Sequence, residues 1–302
     1  MSWYALATLE HADGLAALVL PDGAVLLSAL PDAGELGRLS VTGIIRRWGE
    51  MEARIDRLAV DADNRARQGN VVLTKVPRTA VPFQPFRIFG AASNYIEHAA
   101  EMETKLAAKV DSTPFVFMKS QSSIIGPDEP VVLPPESQKV DWEVELGVVI
   151  GKAGRRISEA HALDHIAGYV VVNDISARDL TRRTDFPFSH DWFRGKSFDS
   201  FTPVGPWFVP KSCVPDLHRL RLTLSVNGEM MQDGTSGDMI FNTFEQIAYL
   251  SRLLELRPTD LLATGTPAGV GMARGIFLKP GDRMVAGIEH VGEIANPVIA
   301  EG

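Results

Sequence analysis

The chain has 302 residues, of which 45% are hydrophobic and 23% are charged, and this is the composition of an ordinary globular protein. Its formal net charge of −8 argues against a nucleic-acid-binding protein with a broad basic face. The single cysteine, Cys213, excludes an intrachain disulfide, which fits a reducing cytoplasm. No apolar run approaches the roughly 18 residues of a membrane span, and no signal peptide is evident. We therefore expect a cytoplasmic protein without membrane or nucleic-acid partners.

Residues 1–78 are predicted to form a small N-terminal α/β domain without a credible reactive group. Its expected elements are three short strands and a helix, at residues 4–9, 15–20, 24–27 and 39–58. A linker is indicated by Pro77, Pro82 and Pro85. Residues 79–302 are therefore assigned to a second, larger domain.

The second domain is expected to open with a strand at residues 86–90, followed by a turn and a helix. His98 and Glu101 are three positions apart in that helix, so their side chains share one face. A glutamate beside a histidine can hold the ring tautomer and raise its basicity, which is typical of a general base. The alternative is an ordinary surface pair, and the spacing alone favours it. Residues 96–113 are polar and have few large apolar side chains, so we expect them to order weakly without a ligand.

Residues 141–151 are predicted to form a strand buried on both faces, because the second half of this run is aliphatic and β-branched. Glu143 and Glu145 lie two positions apart at its start, so a strand places both carboxylates on one face. Burying two neighbouring anions without a counter-charge is costly, and a divalent cation between them satisfies both. The alternative is an exposed strand end with two solvated acids.

A second buried strand is expected to end in the polar pair Asn173-Asp174. Strand ends are where open sheets and barrels place reactive groups. A third carboxylate from Asp174 would complete an all-oxygen site with Glu143 and Glu145. Hard oxygen ligands suit Mg²⁺, Mn²⁺ or Ca²⁺ better than zinc.

Two further features have open interpretations. Lys119 ends an apolar strand at residues 114–119, and it either reaches into a cleft or extends its ammonium group to water. Residues 180–195 combine arginines with aromatic residues, which is typical of a lid over an anionic ligand and equally of an interface contact.

The C-terminal third contains signals for a hairpin, a helix and a glycine-rich loop. Asn227-Gly228 is a strong hairpin turn signal. An amphipathic helix is expected at residues 243–256, with Thr243 as its N-cap. Residues 264–271 offer backbone amides and hydroxyls to an anion, but they lack the lysine and the spacing of a nucleotide P-loop.

Several of these motifs occur in the same order in one protein family. Over about residues 80–298 the chain resembles the fumarylacetoacetate hydrolase family, through the motifs Asn94-Tyr95 with His98, Glu143-Val144-Glu145, Asn173-Asp174 with Arg178-Asp179, Gly195-Lys196-Ser197-Phe198, Asn227-Gly228 and Thr264-Gly265-Thr266-Pro267. Each motif alone would be weak, and their order across most of the chain makes the match specific. The small N-terminal domain also resembles that of two-domain bacterial members.

The resemblance implies an α+β, predominantly β fold, with a mixed β-roll or barrel as the catalytic domain after a small N-terminal α/β domain. It implies a divalent metal, Mg²⁺ or Mn²⁺ with Ca²⁺ also compatible, and in most members a homodimer. Members act on small anionic 2-oxo acids, as acylpyruvate or diketo-acid hydrolases, oxaloacetate-type decarboxylases, and hydratases or isomerases of catechol breakdown.

By position, the resemblance implies a role for each residue of the candidate site. The implied metal ligands are Glu143, Glu145 and Asp174. The implied catalytic residues are His98, Glu101 and Lys196. The residues assigned to substrate binding are Asn94, Tyr95, Lys119, Arg178 and Thr266.

Two positions depart from the family pattern. Some members have Asp where this chain has Asn94, and that Asp is a further metal ligand, so its absence favours a site of three carboxylates. Many members have Gln where this chain has Thr181, which weakens any inference about the distal half of the substrate.

Together these residues predict a divalent-metal-dependent hydrolase that cleaves a C–C bond in a 2,4-dioxo acid and releases pyruvate or a related acid. In that reaction His98 takes a proton from the water that attacks C4, with Lewis-acid stabilisation of the enolate. The alternatives at the same site are decarboxylation of an oxaloacetate-type β-oxo acid, and hydration or isomerisation of 2-oxo-dienoic acids. A catalytically silent member is a further alternative, against which the full set of residues argues.

Overall fold

The computed structural model describes residues 3–10, 12–75, 78–103 and 106–302. Three expectations fall partly outside that set: the first two residues of the N-terminal domain, Pro77 of the predicted linker, and residues 104–105 of the segment expected to order weakly. Within the described residues, no helix combines the length and the apolar composition that crossing a bilayer requires.

The α-helices of the described residues are α1 (Val41–Arg46), α2 (Trp48–Arg67), α3 (Ile96–Glu101), α4 (Trp192–Lys196), α5 (Thr243–Leu253) and α6 (Gly271–Arg274). The helix predicted over residues 39–58 is confirmed as α1 followed by α2, and it continues to Arg67. Its start is set by Ser40, whose hydroxyl oxygen accepts from the backbone N–H of Gly43 at 3.1 Å.

The strands of the described residues are β1 (Ala5–Thr8), β2 (Ala16–Leu20), β3 (Gly23–Leu26), β4 (Ile88–Ala92), β5 (Phe115–Lys119), β6 (Ile124–Ile125), β7 (Val131–Leu133), β8 (Val140–Asp141), β9 (Val144–Ile150), β10 (Ile166–Asn173), β11 (Ser176–Ala177), β12 (Thr202–Pro210), β13 (Arg221–Val226), β14 (Glu229–Thr235), β15 (Leu261–Ala263), β16 (Arg283–Ile288) and β17 (Gly292–Ala300).

These strands form mixed sheets. The largest has the order β3-β2-β1-β12-β10-β9-β15-β4-β5, with β6 beside β12. A second sheet has the order β14-β13-β16-β17-β7, and β8 pairs with β11. The predicted α+β, predominantly β fold is confirmed, with the correction that the sheets of the described residues are open and do not close into a barrel.

The N-terminal strands continue the large sheet of the second domain. β1 pairs with β12 through Leu6 and Phe208. The indole of Trp48, on α2, packs edge-on against Phe208 with ring centroids 5.3 Å apart. All three side chains are buried, so the two predicted domains share an apolar core at this contact. The domain boundary near residue 78 stays a prediction.

The C-terminal turn and helix signals are confirmed with one correction. Asn227 and Gly228 have positive φ angles of 53° and 83° and connect β13 to β14. Helix α5 is capped by Asn242, whose side chain accepts from the N–H of Glu245 at 3.0 Å, while Glu245 accepts from the N–H of Asn242 at 2.7 Å. Thr243 was the wrong choice, because this reciprocal pairing places the cap three residues before the glutamate.

Strands β9 and β10 lie at the centre of the large sheet and are buried along their whole length. They are antiparallel, and their last pair joins Val144 to Asn173. The strand predicted over residues 141–151 is divided into β8 and β9, so Glu143 precedes β9 instead of lying within it. Glu143, just before β9, and Asp174, just after β10, therefore lie at the same end of the paired strands.

Candidate active site

Three carboxylates meet where β9 begins and β10 ends. The backbone N–H of Asp174 donates to the carbonyl of Glu143 at 2.8 Å, just beyond the last strand pair. Glu145 lies in β9, opposite Val172. One carboxylate oxygen from each acid lies within 4.8 Å of the others, and all three side chains are buried. We call Glu143, Glu145 and Asp174 the acid cluster.

Two buried lysines compensate the acid cluster. The Nζ atom of Lys196 donates to Glu143 at 2.6 Å and to Asp174 at 2.7 Å. The Nζ atom of Lys119 pairs with the other oxygen of Asp174 and donates to the carbonyl of Phe201 at 2.8 Å. Burial lowers the pKa of Lys119 even though Asp174 opposes that change. Burial acts in the same way on Lys196, but there Asp174 and Glu143 outweigh it and raise the pKa.

Arg178 and Asp141 form a further ion pair, and Arg178 also contacts Glu143. The Nε atom of Arg178 donates to Asp141 at 2.8 Å, and its Nη2 atom lies 2.6 Å from a carboxylate oxygen of Glu143. Asp141 also accepts from the backbone N–H groups of Gly271 at 2.7 Å and Met272 at 3.0 Å. Asp141 therefore fixes both the guanidinium group and the start of α6.

The two glutamates of the acid cluster have opposite electrostatic environments. Burial disfavours the charged form of both. For Glu143, Arg178 and Lys196 outweigh burial and hold the pKa below its usual range. For Glu145, burial and the neighbouring carboxylates of Asp174 and Glu143 act together and raise the pKa well above its usual range. The charged form of Glu145 is thus the one that the cations of the protein compensate least.

The acid cluster fits a divalent cation. Its three oxygen donors lie within 4.8 Å of one another, and carboxylate oxygens are the ligands of hard cations such as Mg²⁺ and Mn²⁺. A cation there would favour ionisation of Glu145, which burial and two neighbouring carboxylates oppose. The predicted ligands Glu143, Glu145 and Asp174 are therefore brought together in a suitable arrangement.

Thr266 and Gln232 hold the glycine-rich loop, residues 264–271, against β9. The hydroxyl of Thr266 donates to the carbonyl of Val144 at 2.8 Å and accepts from the amide of Gln232 at 2.8 Å. The buried Gln232 in turn accepts from the N–H of Val144 at 3.0 Å. Within the loop, the N–H of Gly265 donates to Glu145 at 2.8 Å, so the loop orients one acid of the cluster.

His98 and Glu101 form the predicted pair on one face of α3. The Nδ1 atom of His98 lies 2.8 Å from Oε1 of Glu101. The other oxygen of Glu101 accepts from the backbone N–H of Gly269 at 2.9 Å. An ionised carboxylate can only accept, so Nδ1 carries the ring proton and Nε2 is left as the proton acceptor. The pair has the tautomer that a general base requires, and Glu101 joins α3 to the glycine-rich loop.

A cavity of about 580 Å³ connects these groups. The predicted site residues that line it are His98, Glu143, Arg178, Lys196 and Thr266. Its volume is in the range of ordinary small-molecule sites. A predicted base, an acid of the cluster and three polar or cationic side chains thus face one space.

Asn94, Tyr95 and Lys119 do not line that cavity in the described part of the chain. The amide of Asn94 donates to the carbonyls of Phe241 at 2.9 Å and Thr264 at 2.8 Å, and it accepts from the N–H of Phe241 at 2.9 Å. Tyr95 is buried, and burial raises the pKa of its hydroxyl. The structure places these residues as supports around the site, and their direct contact with a substrate stays a prediction.

Residues 180–195 fold beside the cavity. Arg182 and His190 form an isolated β-bridge within this stretch, and both line the cavity together with Trp192. Thr181, which stands where many relatives have Gln, lines the cavity as well. This placement agrees with the lid interpretation, and the alternative of an interface contact stays a prediction.

Sequence reasoning missed two positioning residues, Asp141 and Gln232. Asp141 begins the 141–151 run, but one Asp before an apolar strand has no distinctive pattern. Gln232 lies in a hairpin strand, where a single amide looks like any outward polar residue. Both act through bonds to residues distant in the sequence, Gly271 and Val144. Only tertiary structure reveals such contacts.

The model of the fumarylacetoacetate (FAA) hydrolase C-terminal family matches residues 87–299. The protein named oxaloacetate tautomerase FAHD2A, mitochondrial, of Homo sapiens is 42% identical over 234 residues, which are 75% of this chain and 72% of that relative. A solved fumarylacetoacetate hydrolase from Exiguobacterium antarcticum is 29% identical, with a TM-score of 0.78, and the match covers 100% of both chains. The 2-hydroxyhepta-2,4-diene-1,7-dioate isomerase of Mycobacterium marinum is 34% identical, with a TM-score of 0.64, over 74% of this chain and 79% of its own.

These similar proteins are named for three different reactions, so a shared fold does not choose among them. The matched residues 87–299 contain the acid cluster and the His98–Glu101 pair. Enzymes of this kind generally depend on a divalent metal, and the acid cluster fits one. The chain belongs to the fumarylacetoacetate hydrolase family.

Proposed function

We propose that the protein is a divalent-metal-dependent hydrolase that cleaves the C3–C4 bond of a 2,4-dioxo acid and releases a 2-oxo acid such as pyruvate. The observation that carries the proposal is that His98, already paired with Glu101, lines the same cavity as Glu143 and Lys196. Hydrolysis of a β-dicarbonyl requires a base and a site that stabilises negative charge on the 2-oxo oxygen.

The 2-oxo acid end of the substrate would bind at the acid cluster. Lys196 uses two of its three N–H groups on Glu143 and Asp174, so one is left for a substrate oxygen. Mg²⁺ or Mn²⁺ held by the acid cluster would supply Lewis-acid stabilisation of the charge that develops on the 2-oxo oxygen. Arg178, which also lines the cavity, adds positive potential for an anionic substrate.

His98 provides the proton transfers. Its Nε2 atom takes a proton from water while the water oxygen adds to C4, and Glu101 stabilises the resulting imidazolium across 2.8 Å. When the C3–C4 bond breaks, its electron pair moves to C3 and C4 leaves as a carboxylic acid. The imidazolium then returns a proton to C3, which completes the 2-oxo acid product. Atoms balance with water as the only co-reactant.

A second candidate is keto–enol tautomerisation of oxaloacetate, which the 42% identity to the human oxaloacetate tautomerase favours. That reaction moves a proton to and from C3 without attack by water, and His98 is placed to carry it. The cavity of about 580 Å³ favours the first candidate, because a 2,4-dioxo acid can carry an acyl group large enough to fill the space that oxaloacetate would leave empty.

Assays with two substrates separate the two candidates, and each assay is run with Mg²⁺ and with EDTA to test the dependence on metal. Acetylpyruvate is followed by loss of its diketone absorbance, and oxaloacetate by its enol absorbance and by CO₂ release. We expect Mg²⁺-dependent cleavage of acetylpyruvate, and His98→Ala should lower that turnover by roughly 10²–10⁴, the usual contribution of a general base.

Glu97→Gln is the matched control, because Glu97 is an exposed acid on the same helix. It should leave turnover unchanged. Tautomerisation of oxaloacetate without cleavage of acetylpyruvate would replace the first candidate by the second. A similar loss in the His98→Ala and Glu97→Gln variants would contradict the role of His98 as base.

A further inference from the structure

Four of the aromatic rings that line the cavity form one group around Trp192 and have no part in the proposed chemistry. Phe117 stacks on Trp192 with ring centroids 5.2 Å apart and planes inclined by 18°. His190 stacks on the same indole at 6.1 Å and 11°, and Phe115 contacts it at 5.5 Å. We call Phe115, Phe117, His190 and Trp192 the aromatic wall.

The aromatic wall begins next to the reacting groups. The Nζ atom of Lys196 lies 5.2 Å from the ring centroid of Phe117. Trp192 and Lys196 are the first and last residues of α4, four positions apart, so they lie on the same face of that helix. The start of α4 is fixed by Asp191, which accepts from the N–H of Arg194 at 3.1 Å. A substrate held at Lys196 by its 2-oxo acid end can therefore extend its C4 substituent along the wall.

The chemistry of the wall selects a flat apolar group. Aromatic faces favour other rings and conjugated groups, through apolar burial and stacking. The Nε1 atom of Trp192 is buried and has no hydrogen-bond acceptor in the described part of the chain, so its N–H is left to donate to a bound ligand. Arg182 lines the cavity and is bridged to His190 of the wall, but it is exposed, and exposed charges contribute little to binding.

We propose that the acyl group of the substrate is planar and apolar, and that it stacks on the aromatic wall. The substrate class is then the aroylpyruvates and conjugated acylpyruvates, ahead of short diketo acids and oxaloacetate. This inference rests on the proposed function for the position of the 2-oxo acid end. It assigns Trp192 the role of a residue that determines specificity for the distal group.

Binding alone tests the inference, with three 2-oxo acids that cannot undergo hydrolysis between C3 and C4. They are 2-oxobutanoate, 2-oxoglutarate and 2-oxo-4-phenylbutanoate, which share the same 2-oxo acid end. Calorimetry with Mg²⁺ should show the phenyl compound binding at least about tenfold more tightly than 2-oxobutanoate, through burial and stacking of its ring. Trp192→Ala should reduce this preference to about twofold or less, whereas Trp192→Phe keeps a ring and should keep most of it.

Phe188→Ala is the matched control, because Phe188 lies in the same stretch but is 73% exposed and packs on Phe186. It should leave the preference unchanged, and thermal unfolding shows that each variant folds. Equal binding of the phenyl compound and 2-oxobutanoate by the native protein would overturn the inference and leave the proposed function standing. Tightest binding of 2-oxoglutarate would overturn it in favour of a second carboxylate. If none of the three binds, the position of the 2-oxo acid end is wrong, and the inference fails with it.

Discussion

The acid cluster and the His98–Glu101 pair are held in different ways. The acid cluster lies at the ends of β9 and β10, which are buried along their whole length. Its carboxylates are bonded to buried lysines and to a backbone N–H. His98 lies instead on the six-residue helix α3, which begins with Ile96 at 69% exposed. The buried core therefore fixes the acid cluster, whereas only a few contacts hold the His98–Glu101 pair.

This difference matches the task of each group. Three carboxylates repel one another, so they must be brought together by the fold before any ligand arrives. A base that activates water benefits from closing over the substrate, since closure excludes bulk water. The bond from Gly269 to Glu101, at 2.9 Å, is the described hydrogen bond that joins α3 to the loop beside the acid cluster.

Neutralising an acid of the cluster should have the largest effect, and two such substitutions should differ. Asp174→Asn removes the carboxylate partner of Lys119, whose side chain is fully buried. Breaking a buried ion pair in this way typically costs about 3–5 kcal/mol of unfolding free energy. Glu143→Gln leaves Lys196 paired with Asp174, so its loss should be smaller. Chemical denaturation measures both, and calorimetric titration should show Mg²⁺ binding lost in both.

A double substitution separates the ion pair from the metal site. Lys119→Met combined with Asp174→Asn removes both charges, so it should recover part of the lost stability without recovering Mg²⁺ binding. A double variant no more stable than Asp174→Asn would speak against the pairing of Lys119 with Asp174. Unchanged Mg²⁺ affinity in the Glu143→Gln variant would contradict the assignment of Glu143 as a metal ligand.

The acid cluster was predictable because local patterns determine it. The Glu-x-Glu spacing precedes one apolar run and Asp174 ends another, and strand ends of one sheet meet at one edge. The direction of Lys119 was not predictable, since it depends on β5 lying at the far end of the order β9-β15-β4-β5. The sequence left open whether the ammonium group of Lys119 reaches a cleft or water. In the structure that group pairs with Asp174.

The fold shows the same division between local and distant information. The Asn227-Gly228 turn has its own signal, so the hairpin was predicted correctly. The continuation of the large sheet into the N-terminal strands rests on the pairing of Leu6 with Phe208. Two apolar residues so far apart in the chain leave no pattern that sequence reasoning can detect.

Glu101→Gln tests the link between the two regions. The amide that replaces the carboxylate can donate to Nδ1 of His98, which moves the ring proton to Nε2 and removes the basic atom from the cavity. Turnover of a diketo acid should fall by roughly 10²-fold, toward the lower end of a general base's contribution. Steady-state kinetics measures the loss. Mg²⁺ affinity should be unchanged, because Glu101 has no bond to the acid cluster in the described residues. Native-like turnover would show that His98 does not need the carboxylate of Glu101 to act as a base.

The smallest expected effect concerns hydrogen exchange of backbone N–H groups in α3 and the chain after it. Residues 96–103 and 106–113 have exposed apolar side chains, including Val110 at 88%, so few contacts oppose their opening. Oxalate resembles the enolate of pyruvate and should bind at the acid cluster in the presence of Mg²⁺. We expect oxalate with Mg²⁺ to slow exchange in these segments, and Mg²⁺ alone to change little.

The strands β9 and β10 provide the internal reference for that measurement. Both are buried along their whole length, so their exchange should be slow in every state and unaffected by oxalate. Protection confined to the α3 segments would mean that the substrate-like anion recruits the base to a preformed acid cluster. Exchange in α3 that is already as slow as in β9, and that oxalate does not change, would mean that the base is as fixed as the acids. Water would then have to be excluded by the residues 180–195 that border the cavity, and the position of His98 would be set before any substrate enters.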